Sequence, residues 1–261
     1  LMAMSLTACG GSSSTTTATT TTTTTTTTPA AQAFTLTALV DDIDGGAGDD
    51  TISAAEVLLV TTVTNTLSAL DNIDGGAGND TLNITESTAA FTLPGSLTVV
   101  NVETVNITGS DDITADISTW TGVTTFNVAA ADATAVTASA TTNIAVTGST
   151  LVADTTAVDG GKDITITQSG ISDTAATIAV GATTAAKGAV SVTQTTDFAD
   201  GAGDIAPTIA VTGGTTVAIT QNLAGASDGA QATDASSETF TGGAVTVTGT
   251  AATTSVSVTQ T

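Results

Sequence analysis

Hydrophobic positions in this chain come in short bursts of period two. Val105-Asn106-Ile107-Thr108, Phe126-Asn127-Val128, Ile144-Ala145-Val146-Thr147, Ile164-Thr165-Ile166-Thr167 and Val190-Ser191-Val192-Thr193 are followed by Ile209 to Thr212, Val217 to Thr220, Val245 to Thr248 and Val256 to Thr259. Strict alternation sends the apolar side chains to one face of a strand and the small polar ones to the other. Gly or Gln usually follows each burst. The early bursts recur about every twenty residues, which suits one β-solenoid coil with its turns; later intervals are irregular, as insertions or two strands per coil would make them. The pattern predicts an all-β chain wound as a parallel β-solenoid of the β-roll or β-helix kind. An antiparallel β-sandwich is the alternative, since short strands between Gly and Asp turns build that fold too.

Upstream the pattern predicts a strand from Phe34 to Val40 and another around the β-branched run Val60 to Thr64, with a short helix over Ala54 to Leu59 as the competing local choice. Around these strands lies the one close repeat of the chain. Asp41 to Ser53, DDIDGGAGDDTIS, returns thirty positions later as Asp71 to Asn83, DNIDGGAGNDTLN. Both copies fit the frame G-G-x-G-x-D-x-U-x, where U is a large aliphatic: Gly45, Gly46, Gly48, Asp50 and Ile52, then Gly75, Gly76, Gly78, Asp80 and Leu82. This is a calcium-binding frame of parallel β-rolls.

The residue types follow from the ion. Ca²⁺ takes about 6 to 8 oxygen ligands at roughly 2.3 to 2.6 Å, so a chain that holds it must aim carbonyls inward and supply carboxylates. Glycines allow that turn because they reach φ > 0, and the closing Asp supplies the anionic ligand. Ile52 and Leu82 then point into the core. Gly-Gly and Asp-rich runs also make ordinary turns, but two near-identical copies, each preceded by further acids, point to Ca²⁺. The expected metal-ligating set is Asp41, Asp42, Asp44, Gly46, Gly48 and Asp50 at the first copy, with Asp71, Asp74, Gly76, Gly78 and Asp80 at the second. Asp200-Gly201-Ala202-Gly203-Asp204 is a shortened relative of the motif. Asp159-Gly160-Gly161-Lys162-Asp163 carries a lysine that would compete with a cation and, like Asp111-Asp112 and Asp228-Gly229, reads as a plain turn.

The paired motifs, with TLSALDNIDGGAGNDTLNIT, NVETVNITG and TGVTTFNV, resemble bacterial S-layer and other surface proteins of the repeats-in-toxin type. The specific part of the likeness covers about Phe34 to Val128; the remainder shares only a Thr/Val/Ala style. The resemblance implies calcium held between turns of successive coils on one side of the roll. Family members run their nonapeptides in tandem, whereas here each copy stands alone, and the acids ahead of each motif are the candidates to fill the gap.

Charge and composition narrow the function. The formal net charge is -23, from 25 acidic and 2 basic residues. Phosphate binding rests on clustered Lys and Arg, so nucleic acid is not an expected partner. So much like charge opposes compaction, and cations bound where Asp residues crowd would relieve it. Aromatics are 2% of the chain and the hydrophobic 40% is largely Ala and Val, which suits a thin solenoid interior better than a thick core. The chain has no His, no Arg and no Tyr, which removes the usual nucleophile-base pairs, the H-E-x-x-H zinc site and arginine clamps. Two carboxylates alone can support glycoside hydrolysis, yet nothing marks a particular pair, and the expectation is a protein that is not an enzyme.

Leu6-Thr7-Ala8-Cys9 looks like a lipobox at the end of a signal-peptide remnant spanning residues 1–9, with Cys9 the lipidated residue. Residues 10–33, almost pure Ser and Thr up to Pro29, cannot bury a core and read as a disordered tether. Residues 34–95 form the expected calcium-binding β region, and 96–261 the Thr/Val/Ala-rich coils, with further coils or a neighbouring copy expected beyond Thr261. The lipobox implies the general secretory route, although repeats-in-toxin proteins typically leave by a one-step route. Together these readings describe a structural protein of the bacterial surface. It would be anchored to the outer membrane by lipid and self-associated into a lattice, its folding dependent on Ca²⁺. An adhesin contacting glycans or other cells is the second reading, and a polysaccharide-acting enzyme the third.

Overall fold

The computed structural model describes residues 29–59, 62–130, 132–148, 154–171, 176–198, 206–225 and 242–261. The lipobox, the tether up to Thr28, the motif relative at Asp200 to Asp204 and the turn at Asp228-Gly229 lie outside them. The chain is all-β and coils into a parallel β-solenoid. Its longest sheet contains, in spatial order, β1 (Ala33–Thr35), β3 (Thr51–Leu59), β6 (Thr81–Glu86), β9 (Thr104–Gly109), β11 (Thr125–Ala130), β13 (Asn143–Gly148), β15 (Ile164–Ile171), β17 (Val190–Phe198), β19 (Thr216–Gly225) and β21 (Ser255–Gln260), with β4 (Thr62–Asn65) attached to β3. Facing it is a sheet of β7 (Phe91–Thr92), β10 (Ile113–Asp116), β12 (Thr134–Ala138), β14 (Thr155–Gly160), β16 (Thr177–Val180), β18 (Thr208–Thr212) and β20 (Val245–Thr248). A third, short sheet joins β2 (Asp42–Asp44), β5 (Asn72–Asp74) and β8 (Thr98–Val100).

Among the described strands, β3–β4 is the one antiparallel pair; the rest of the ladder is parallel, which removes the sandwich alternative. The coil is three-sided at first. The third side fades after Val100, which meets only an isolated bridge from Thr121. Ser139 to Thr142 lead directly from β12 into β13, and the longer 181–189 connection between β16 and β17 contributes an isolated bridge, Ala186 to Gly213, and no strand.

Register follows the alternation read in the sequence. Ile52, Leu82, Val105, Phe126, Ile144, Ile164, Val190 and Val217 stack into one inward column of the long sheet, coil upon coil. All are at most 2% exposed. Each such burial removes an aliphatic side chain from water for about 1.5 to 3 kcal/mol, so small residues suffice when the column is continuous. Outward, Asn106 Nδ2 donates to Asn83 Oδ1 and Asn127 Nδ2 to Asn106 Oδ1, both at 2.8 Å, forming an amide ladder across three coils.

One local expectation changes and one local choice is decided. The strand expected from Phe34 to Val40 stops at Thr35, because the Thr37 backbone N–H (2.7 Å) and Oγ1 donate to the Asp41 carboxylate and bend the chain. Ala54 to Leu59 is strand, not helix: it continues β3 out of the solenoid and turns back as β4, a hairpin inserted between the two glycine motifs. The sheet passes without a break over the 95/96 division, since β6 pairs with β9.

Candidate metal centre

The two glycine motifs occupy the same corner of successive coils, where the short third sheet turns into the long one: β2 leads through 45–50 into β3, and β5 through 75–80 into β6. Stacking is backbone on backbone. Gly45 N donates to Asp74 O, Gly48 N to Ala77 O and Ala77 N to Gly46 O, at 2.8 to 2.9 Å. Gly76 has φ +90°, and a Cβ there would strike the backbone of Gly46. The corner therefore needs glycine for conformation and for closeness.

The closing acids of the two motifs, together with Glu103, form a vertical ladder. Asp50 Oδ1 accepts the backbone N–H of Gln32 (2.6 Å), Asp80 Oδ1 accepts that of Asp50 (2.7 Å), and Glu103 Oε2 accepts that of Asp80 (2.8 Å). Asp50 and Asp80 are 1% and 0% exposed. Their second oxygens, Asp50 Oδ2 and Asp80 Oδ2, are buried without a hydrogen-bond partner. Each shares its space with a carbonyl of the next coil: Asp50 Oδ2 and Gly75 O crowd the point where a Cβ on Gly45 would sit, and Asp80 Oδ2 and Asn101 O do the same at Gly75. Burial pushes the Asp80 carboxyl up, partly offset by the Asp50 N–H it accepts, and the charges of Glu103, Asp50 and Asp49 push it further. Unpartnered anionic oxygen beside carbonyl oxygen, in a dry corner with like charges above and below, is costly by itself and is the donor set a hard dication favours. By donor type the residues suit Ca²⁺, although among the described residues the acids whose carboxylate oxygens gather within 4.8 Å of one another are Asp111, Asp112 and Asp132 and not Asp50, Asp80 and Glu103.

The other expected ligands are placed differently. Asp41 and Asp71 stand at the far end of the short third sheet: Asp71 Oδ1 accepts from Asp41 N (3.0 Å) and Ser68 Oγ (2.7 Å), so this pair closes turns. Asp42 accepts from Asn72 Nδ2, Asp44 from Gly46 N, and Asp74 from Gly76 N and Asn101 Nδ2. Gly46 O is engaged by Ala77 N, while Gly48 O lies against Gly78 across the coils. Of the expected set, then, Asp50 and Asp80 are the ones with a buried carboxylate oxygen that has no hydrogen-bond partner.

Glu103 and Asn101 escaped the sequence reading. In the third coil the six-residue glycine corner shrinks to Asn101-Val102-Glu103, with Asn101 in the left-handed region at φ 52°, a conformation Asn tolerates better than most residues. The readable signal was an Asn followed two residues later by an acid, just ahead of a strand.

A second acidic group lies where the long sheet turns into the facing one. Asp111, Asp112 and Asp132 hold carboxylate oxygens all within 4.8 Å of one another, although Asp111-Asp112 read as a plain turn. Asp154, one coil further, is pushed up to about 6 by burial, a hydrogen bond with Asp132 and the charges of Asp132 and Asp112. These oxygens are half-buried or exposed and water reaches them. At Asp159 to Asp163 the carboxylates accept backbone N–H groups of the next coil, and Lys162 pairs with Asp163 at 3.6 Å on the surface.

A scan against protein-family models and a search of curated proteins returned no match.

Proposed function

We propose that this chain is a structural protein of the bacterial surface whose solenoid is locked by Ca²⁺ at the Asp50–Asp80–Glu103 corner. The observation that carries the reading is the pair of buried, unpartnered carboxylate oxygens facing carbonyls of the neighbouring coil. Bound there, the ion would supply positive charge and oxygen coordination; the chain's own residues bring the rest. Gly45, Gly46, Gly75 and Gly76 let successive corners close on one another, Asp50 and Asp80 hold one oxygen toward the next backbone and one inward, and Glu103 ends the stack. Without a cation the three stacked acids repel; with one they tie residues of three coils together, coupling binding to folding. The repeats-in-toxin and S-layer resemblance supports the same reading, as do the net charge of -23 and the absence of His and Arg.

In this proposal the body stands on the tether and a lipid at Cys9, outside the cell where calcium is plentiful, and associates with copies of itself into an array. The outward Thr and Asn columns of the long sheet favour an adhesin as the second reading. Circular dichroism and thermal melting of residues 29–261 with added Ca²⁺, then with chelator, test the ion's role: a fold indifferent to both overturns it. Electron microscopy of the envelope separates the two assemblies, because a lattice gives a periodic coat lost on chelation and an adhesin gives sparse projections.

A further inference from the structure

At the inner edge of the long sheet one register position runs the length of the solenoid: Glu86, Gly109, Ala130, Gly148, Gln168, Gln194, Gln221 and Gln260. Four coils fill it with a neutral amide, three leave it small, and one carries an acid. Glu86 is 6% exposed and its Oε1 is buried with no partner. A protonated carboxyl has nearly the shape and hydrogen-bonding capacity of a glutamine amide, so a neutral Glu86 continues this column as the later glutamines do.

One coil below sits Glu56. β3 and β6 run in register up to Ala55 and Thr85, and both glutamates are the next residue on. At that point β3 leaves the solenoid: Glu56 pairs with Asn65 across the hairpin, and Asn65 Nδ2 is also buried without a partner. Glu56 Oε2 accepts from Ser87 N (3.0 Å) and Oγ (2.7 Å), and Oε1 from Thr88 Oγ1 (2.7 Å). Those three donors, from the two residues that follow Glu86, hold Glu56 ionised below the usual carboxylate range and seat it beside Glu86. With Glu56 anionic, a hydrogen bond between the two carboxyls needs the proton on Glu86.

We propose that Glu86–COOH and Glu56–COO⁻ form a proton-controlled latch that fastens the β3–β4 hairpin to the next coil and loosens when Glu86 gives its proton to solvent. Burial first, then the Glu56 charge and hydrogen bond, push Glu86 up to about 7. The elements around it carry no cation. β4, β7, β9 and residues 87–90 have no ionisable side chain, and the turn after β9 adds only Asp111 and Asp112. Because the folded pKa lies above the ordinary 4.5, the latch stabilises fully below about 4.5 and its contribution disappears as pH rises through about 7. The shift corresponds to roughly 300-fold tighter proton binding in the fold than in the unfolded chain. The latch stands apart from the calcium corner and does not depend on it.

The test is a ¹³C NMR titration of the glutamate carboxyls in the full chain at a fixed, saturating Ca²⁺ concentration, assigned with Glu86→Gln, alongside amide exchange of residues 55–66 corrected for intrinsic rates. A Glu86 midpoint near 7, with exchange in the hairpin rising several-fold between pH 5 and pH 8 in the wild type and staying level in Glu86→Gln, supports the latch. A midpoint near 4.5, or hairpin exchange that does not follow the titration, overturns it. Should Glu86→Gln misfold, Glu56→Gln serves: it should draw the Glu86 midpoint down, and an unmoved midpoint counts against the pair.

Discussion

The backbone N–H of Asp50 donates to Oδ1 of Asp80 at 2.7 Å, thirty residues further along the chain and one coil away. That contact fixes the rise of the solenoid at its acidic corner with one carboxylate oxygen and leaves the other, Asp80 Oδ2, buried without a partner. One oxygen ties two coils together, and the other is the buried, unpartnered atom on which the proposed Ca²⁺ site rests.

Asp80→Asn should therefore change sign with calcium. The amide oxygen still accepts from Asp50, while the uncompensated charge disappears. In chelator the variant should be equal to the wild type or more stable by about 1 to 3 kcal/mol, as replacing buried, poorly compensated charge often is. In calcium the wild type should gain about 2.7 kcal/mol per site at a hundred times the dissociation constant, and the variant should forgo that gain at its site. Urea unfolding in the two buffers measures both; a variant that is less stable in each by the same amount would show a rung with no ion behind it.

Gly76→Ala should be among the most damaging single-methyl changes in the chain. The residue has φ +90°, and the added carbon would meet the Gly46 carbonyl and amide, which belong to the backbone and cannot swing aside. Strain in that region costs of order 1 to 3 kcal/mol before the clash is counted. Gly95→Ala is the control, because a Cβ there meets nothing within 4 Å. Thermal melts should separate the two by many degrees.

Much of the solenoid could be read from the chain, and the reason is the regular alternation. Each burst from Val105 to Thr259 lies within a strand, and Ile52 and Leu82 face inward as the motif frame implied. The facing sheet was harder to read, because Thr134–Ala138 and Thr155–Gly160 are short and rich in Thr and Ala, and Thr134 and Thr156 point inward despite their hydroxyls. The candidate site was half legible. Glycine spacing marked the corner and its Asp50 and Asp80, but spacing along a chain does not say which oxygens are already occupied. Asp41 engages both oxygens with Thr37, Asp44 and Asp74 turn Oδ1 to nearby donors without burying Oδ2, and Glu103 joins from a coil that has lost the motif.

The Asp111–Asp112–Asp132–Asp154 corner should give a second pH dependence. Asp154 is pushed up to about 6 from an ordinary 3.8, so the fold binds its proton more tightly than the unfolded chain does. Its contribution is fully present below about 3.8 and is lost as pH rises through about 6. Asp154→Asn should remove this part of the loss of stability between pH 4 and pH 7. Denaturant unfolding of variant and wild type across that range checks it, and equal slopes would mean the carboxylates are independent.

The asparagine column offers the cleanest measure of what one outward rung contributes. Asn106 donates to Asn83 and accepts from Asn127, both at 2.8 Å, so Asn106→Ala breaks two bonds while Asn127→Ala breaks one. All three side chains are half-buried, so water replaces part of what is lost. A net contribution of about 0.5 to 1.5 kcal/mol per bond puts Asn127→Ala near 1 kcal/mol and Asn106→Ala near 2 kcal/mol. Asn106→Asp should exceed both, because it keeps the acceptor for Asn127, turns the Asn83 contact into two facing oxygens, and adds charge to a chain already at -23. Chemical denaturation of these three variants, of Asn83→Ala and of the Asn83→Ala, Asn106→Ala double mutant gives the coupling between Asn83 and Asn106. If the two single changes simply add, the ladder seen along the sheet carries no cooperative energy, and the inward column from Ile52 to Val217 alone sets the spacing of the coils.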